Sequence, residues 1–119
     1  MSQNLISANF SAETIARMDA ALATLEEIFA PFSDITADAL EGMPRMGEKS
    51  EPFCRQTALV LAQNLAVIPP SVDFEGLQQD FIDLDLLRPR LLRLRELLNQ
   101  ADNVETALGC DILSTSFDG

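Results

Sequence analysis

The stretch DFEGLQQDFIDLDLLRPRLLRLRELL, residues 73–98, decides how this chain folds. Phe74, Leu77, Phe81, Leu84, Leu87, Leu91, Leu94 and Leu98 recur at steps of three and four, the period at which side chains return to one side of an α-helix. Asp73 precedes the first apolar residue, where a carboxylate can accept the unpaired amides of a first turn. Glu75 follows where the helix dipole favours an acid. Pro89 lies inside the run. It lacks an amide hydrogen and crowds the preceding turn, so a kink is expected near residues 85–89. Ile82, Leu86 and Leu97 form a second apolar stripe on the other side. A helix that is apolar on two sides is either central or shared with a partner.

Charge divides the same helix in two. Residues 73–85 carry five acids and no base, whereas Arg88, Arg90, Arg93 and Arg95 are half of the chain's eight positive side chains. The plain reading is complementation of the helix dipole, with salt bridges to acids such as Glu26, Glu27, Glu48 and Glu51. The sharper reading is a self-complementary face. Two copies crossing antiparallel would set the acidic half of one against the arginine half of the other. The candidate interaction face is therefore Ile82, Leu86, Arg90, Arg93 and Leu97.

Upstream, Ser11 reads as a helix cap, with Glu13 in the first turn. Ile15, Met18, Leu22, Leu25, Phe29 and Phe32 follow at steps of 3, 4, 3, 4 and 3, an a/d seam. Pro31 ends that helix near residue 30. Residues 1–10 read as a flexible arm. Residues 33–49 form a long connecting loop with a helical turn or two, broken by Gly42, Pro44 and Gly47. Ser50 is the next expected cap. A helix to about residue 67 carries Phe53, Thr57, Val60, Leu61, Asn64 and Leu65 on one face, and Pro69-Pro70 stops it. Downstream, Asp102-Asn-Val-Glu105 fits a capping box for a last, weakly patterned helix. The expected helices are 12–30, 50–67, 73–101 and 103–116. Together they predict an all-α single domain, an antiparallel up-and-down four-helix bundle with a Pro-kinked third helix.

Composition narrows the function. The 119 residues include 19 acids, 8 bases and no histidine, a net charge of −11, with 47% apolar side chains. That much apolar content argues for a packed domain. The charge disfavours nucleic acid and anionic membrane surfaces, and favours a basic protein or peptide if it does more than confer solubility. The opening Met-Ser-Gln-Asn-Leu-Ile-Ser reads as no signal peptide, and the longest strictly apolar run is Ala58 to Ala62, so a cytoplasmic location is expected. Cys54 and Cys110 lack the spacing of a zinc site or a disulfide framework and read as buried thiols.

Catalytic patterns are lacking. Gly42-Met-Pro-Arg-Met-Gly47-Glu48-Lys49-Ser50 approaches a phosphate-binding loop, and Gly47, Lys49 and Ser50 are its candidate residues. Glu48 separates Gly47 from Lys49 and would repel phosphate, and no strand precedes the loop, so a turn into a helix is the favoured reading. Asp73, Asp80, Asp83 and Asp85 could offer oxygen ligands to a divalent cation, with Asp80 set among apolar positions. Without histidine, a structural role is favoured. Neither thiol has a histidine partner, and no serine sits in a nucleophile elbow. No catalytic residue, metal or cofactor is expected.

At Met46-Gly-Glu-Lys-Ser50, Pro69-Pro70-Ser-Val-Asp-Phe74, Leu87-Arg-Pro89 and Gly109-Cys-Asp111 the chain resembles a family of small bacterial all-helical proteins of uncharacterised function. These share a Met-Gly-[Asp/Glu]-Lys-Ser helix start, a Pro-Pro turn, a long helix interrupted by Leu-Arg-Pro and a Gly-[Ser/Cys]-[Asp/Glu] step. The likeness covers about residues 46–113. It implies a helical bundle and supplies no activity. The expected function is a non-enzymatic interaction or structural module that self-associates, most simply as a homodimer. The alternatives are an acidic regulator or decoy that binds a basic protein, and a bundle holding an oxygen-liganded metal or a small molecule.

Overall fold

The computed structural model describes residues 4–119, and every regular element among them is a helix. The α-helices are α1 (Ala12–Phe29), α2 (Ala37–Leu40), α3 (Ser50–Gln63) and α4 (Phe74–Asp118). Short 3₁₀ turns cover Ala30–Phe32 and Leu65–Val67. The chain divides into two compact units. One holds the described part of residues 1–44 with Asn103–Gly119, and the other is Arg45–Asp102.

In the first unit, the Ser11 hydroxyl accepts the Thr14 amide at 3.1 Å, the expected cap of α1. The helix tightens into the 3₁₀ turn containing Pro31, where Phe29 and Phe32 meet edge to face at 6.5 Å. The expected helical turn within 33–49 is α2, capped by Thr36 through the Ala39 amide at 3.1 Å. It ends in a tight turn. Glu41 has φ −61° and ψ 132°, Gly42 has φ +79°, and the Met43 amide reaches the Leu40 carbonyl at 3.1 Å. This is a type II turn, whose third position favours glycine.

Among the described residues, Asp111 ties down the irregular backbone before α1. Asp111 accepts the amides of Leu5 at 2.6 Å and Ile6 at 3.1 Å, across more than a hundred residues of sequence. No periodicity announces this bond, though Asp111 belongs to the Gly109-Cys-Asp111 step singled out above.

The second unit pairs α3 with the first part of α4. The Val72 amide bonds the Pro69 carbonyl at 3.0 Å, so the Pro-Pro segment turns the chain back. Asp73 caps α4 as expected, accepting the Gly76 amide at 2.9 Å. A Cβ on residue 76 would run into the Asp73 carboxylate, so the close cap uses a residue without one. Ser50 departs from its expected role. It lies inside the first turn of α3, and its hydroxyl reaches back to Gly47 rather than forward to a helix amide. Asn64, at φ −135° and ψ 48°, closes α3 before the expected residue 67. The side of α3 turned inward is rotated from the expected one. Thr57 and Leu61 of the expected face are half-buried, but so are Glu51, Cys54, Arg55 and Ala58, while Phe53 is 73% exposed.

The expected break between a third and a fourth helix is absent, because α4 is continuous from 74 to 118. Asp102 and Asn103 are weak helix formers without proline's steric veto, and carrying them through a helix costs about 0.7 kcal/mol each, against about 1 kcal/mol for Gly109. Asp102 therefore has helical neighbours on both sides and caps nothing. Pro89 is likewise accommodated inside α4, at the cost of the amide that would have met the Asp85 carbonyl.

No described residue is buried. The a/d seam of α1 illustrates the consequence. Ile15, Met18, Leu22, Phe29 and Phe32 are all exposed, and only Leu25 is half-covered. The dry shared interior that the periodicity predicts is not formed by the described residues of a single chain. The thiols follow suit, since Cys54 is half-buried and Cys110 is exposed, and both are free.

Two measurements check these local assignments. Asp73→Ala should lower the stability of α4 by about 1 kcal/mol in urea unfolding, the usual worth of an N-cap. Asp111→Ala should accelerate hydrogen exchange at the Leu5 and Ile6 amides while leaving the cap of α1 protected.

Candidate interaction face

Four charged side chains fasten α3 to α4. Arg88 grips Glu51 through both terminal nitrogens, at 2.7 and 2.6 Å. Arg55 grips Asp85 in the same manner, at 3.2 and 2.7 Å, and its Nε meets Glu51 at 3.0 Å. The partner number falls along α4 as the number rises along α3, so the two helices run antiparallel in this unit. Arg55 also lies 4.7 Å from the centre of the Phe81 ring, adding a cation–π contact. A guanidinium suits this place because it can fork onto a carboxylate and stack on a ring together, as an ammonium cannot.

These contacts set the electrostatics. Hydrogen bonds from Arg88 first and Arg55 second pull the Glu51 carboxyl down from 4.5 to about 2. The Asp85 carboxyl is lowered chiefly by its hydrogen bonds from Arg55. Both guanidinium groups are correspondingly held in their charged form. Of the acids expected to answer the arginine cluster, Glu51 does so. Asp85, anticipated as a possible cation ligand, is an ion-pair partner instead.

Beside this network α3 and α4 leave an open groove of about 430 Å³. Arg55 marks one end, and Ala58, Leu59 and Ala62 of α3 face Phe81 and Ile82 of α4 across it.

The expected interaction face lies on the same stretch of α4. Ile82 is 52% exposed, Leu86 53% and Leu97 62%. Arg90 folds back to the Leu86 carbonyl at 2.7 Å, and neither Arg90 nor Arg93 joins a salt bridge among the described residues. Ile82 belongs to both the groove and the stripe, a continuity that helical spacing alone did not reveal.

The other sequence candidates are placed as follows. The Gly47 amide donates to the Ser50 hydroxyl at 2.7 Å, and the Gly47 carbonyl accepts the Glu51 amide at 2.9 Å. The loop thus closes on itself, and the amide a phosphate would need is already bonded. Lys49 is exposed beside it. Asp80 is exposed, and Asp83 accepts a hydrogen bond from the Gln79 side chain at 3.0 Å. Among the described residues no three carboxylate or thiol side chains gather closely enough to hold a metal ion, and no helix is long and apolar enough to cross a membrane.

No protein-family model, curated protein or solved structure matches the chain. None of them matches the resemblance read at residues 46–113.

The ion network gives a pH prediction. The folded Glu51 carboxyl binds its proton less tightly than an unfolded one. Its contribution to α3–α4 pairing is therefore complete above about pH 4.5 and lost as the pH falls toward about 2. Carboxyl-detected NMR should find the Glu51 midpoint near the lower value, and Arg88→Ala should move it toward the upper one.

Proposed function

We propose that this chain is a non-enzymatic helical interaction module that completes its core by self-association. The observation carrying the reading is the exposure of its apolar side chains. No described residue is buried, and exposed large hydrophobic residues occur on α1, α3 and α4 alike. The chain exposes 10230 Å², against about 6300 Å² for a compact monomer of its mass. Even two separate compact proteins of half that mass would together expose only about 7700 Å² by the same scaling. The remaining excess, roughly 2500 Å² per chain, is of the size that obligate partners remove from water.

On this reading the antiparallel four-helix bundle expected from the periodicity is built from two chains, each lending a paired α3 and α4. Pro89 sits in the middle of the contributed helix and would bend it around the partner. The forked ion pairs hold α3 on α4 within each copy, so the copies meet as preformed helical hairpins. No chemistry is assigned. The chain has no histidine, and the cluster of Glu51, Arg55, Asp85 and Arg88 is internally neutral and satisfied.

Salt dependence separates this reading from that of an acidic decoy. Two chains of charge −11 repel, and salt screens that repulsion. Self-association driven by apolar burial should therefore hold or tighten between 50 and 500 mM salt, followed by sedimentation equilibrium. A chain that stays monomeric at every concentration and salt, with its helices intact, would remove the proposal. Capture of a basic protein that weakens steeply with salt would favour the decoy.

A further inference from the structure

We infer that the α4 stripe of Ile82, Leu86, Arg90, Arg93 and Leu97 is the two-fold interface of a homodimer, with α4 of one copy crossing α4 of a second copy antiparallel near residue 88. This rests on the reading of the chain as a self-associating module and adds the face, the direction and the register.

Geometry makes the stripe continuous. At 3.6 residues per turn, positions 82, 86, 90, 93 and 97 fall within one narrow band of the helix surface, and 83 lies at its edge. The band is on the opposite side of α4 from Phe74, Leu77, Phe81 and Leu84, which are half-buried within the unit. It thus carries exposed apolar side chains, with Ile82 at its margin also lining the groove against α3.

Charge selects the occupant. Arg55 and Arg88 have carboxylate partners within the chain, whereas Arg90 and Arg93 have none among the described residues. Asp83, at the band's edge, has only the Gln79 amide group among its described partners. A two-fold axis near residue 88 brings Asp83 of each copy opposite Arg93 of the other. It also lays the aliphatic stem of Arg90 over Leu86. Every such contact is made twice, as an isologous interface requires. A basic partner would meet two unpaired arginines here, and a nucleic acid would meet a chain of charge −11. A second copy alone offers both signs at matching positions. Leu97 of that copy would arrive within one turn of Ile82, where the 430 Å³ groove opens.

Sedimentation equilibrium of the full chain at 150 mM salt tests this with four variants. The parent should weigh twice 13.0 kDa. Leu86→Asp, placing a charge at the centre, should weaken association roughly thirtyfold or more, as expected of a central interface residue. Asp83→Arg and Arg93→Asp should each weaken it several-fold through like-charge contact, and the double variant carrying both should regain parental affinity. Circular dichroism alongside reports whether helices persist, and the charge-swap pair remains decisive if Leu86→Asp unfolds. A monomeric parent overturns the interface together with the self-association reading, and leaves the stripe to a different protein. A dimeric parent indifferent to Leu86→Asp and to both charge variants overturns this face alone. Dimerisation that Leu86→Asp weakens but the double variant fails to restore overturns the antiparallel register.

Discussion

The forked pairing of Glu51 with Arg88 and of Arg55 with Asp85 is the constraint on which the described second unit depends. Two amphipathic helices with small residues between them can slide and rotate, since apolar contact has no direction. Guanidinium–carboxylate forks do have direction. By fixing two points along each helix they set both the register of α3 on α4 and the faces that look at each other. They account for Phe53 pointing away while Cys54 and Ala58 turn inward, although hydrophobicity alone favours the reverse. They also spend Asp85 and Arg88 of α4 internally, leaving Arg90, Arg93 and Asp83 without a salt bridge among the described residues.

An open apolar surface of this extent is costly for a chain in isolation. Each square ångström of apolar surface left in water forgoes about 25 cal/mol, and ordering the backbone costs about 1–2 kcal/mol per residue with little burial to offset it. Helical propensity cannot make up the difference, because isolated helices are marginal in water without a packed face. The sequence is rich in apolar residues at helical spacing, so the stripes are suited to burial. The physical question is which surface covers them, and on the proposed reading it is α4 of a second copy.

Much of the local structure was legible from residue order. Ser11, Asp73 and Pro31 set helix limits through backbone chemistry that acts within four residues, and each does so here, whereas Pro69-Pro70 turns the chain only after α3 has closed at Asn64. The helical class followed from three-and-four spacing. Three features were hidden. The junction at Asp102 looked like a cap because the side-chain pattern fits one, yet a cap also requires extended backbone at that residue, and nothing nearby enforces it. The Asp85–Arg55 pair joins residues thirty apart, and the chain offers several acids of equal merit for that arginine. The exposure of the α1 seam was the least legible, because periodicity reports that a face is apolar and says nothing of which molecule covers it. For the site, the stripe on α4 was visible as a pattern, whereas its junction with the groove at Ile82 depends on how α3 is set against α4.

The bond from Asp111 to the amides of Leu5 and Ile6 has an implication for how the molecule comes into being. A ribosome delivers the first of these groups roughly a hundred residues before the last, on the order of ten seconds at ordinary elongation rates. Throughout that interval the leading segment lacks the Asp111 carboxylate on which it docks, and closing so large a ring of chain is entropically among the dearest contacts available. Helices α1 and α3 can form during synthesis from near neighbours alone. The opening segment is thereby made the final piece of its unit to settle, and its docking registers that translation has run past residue 111.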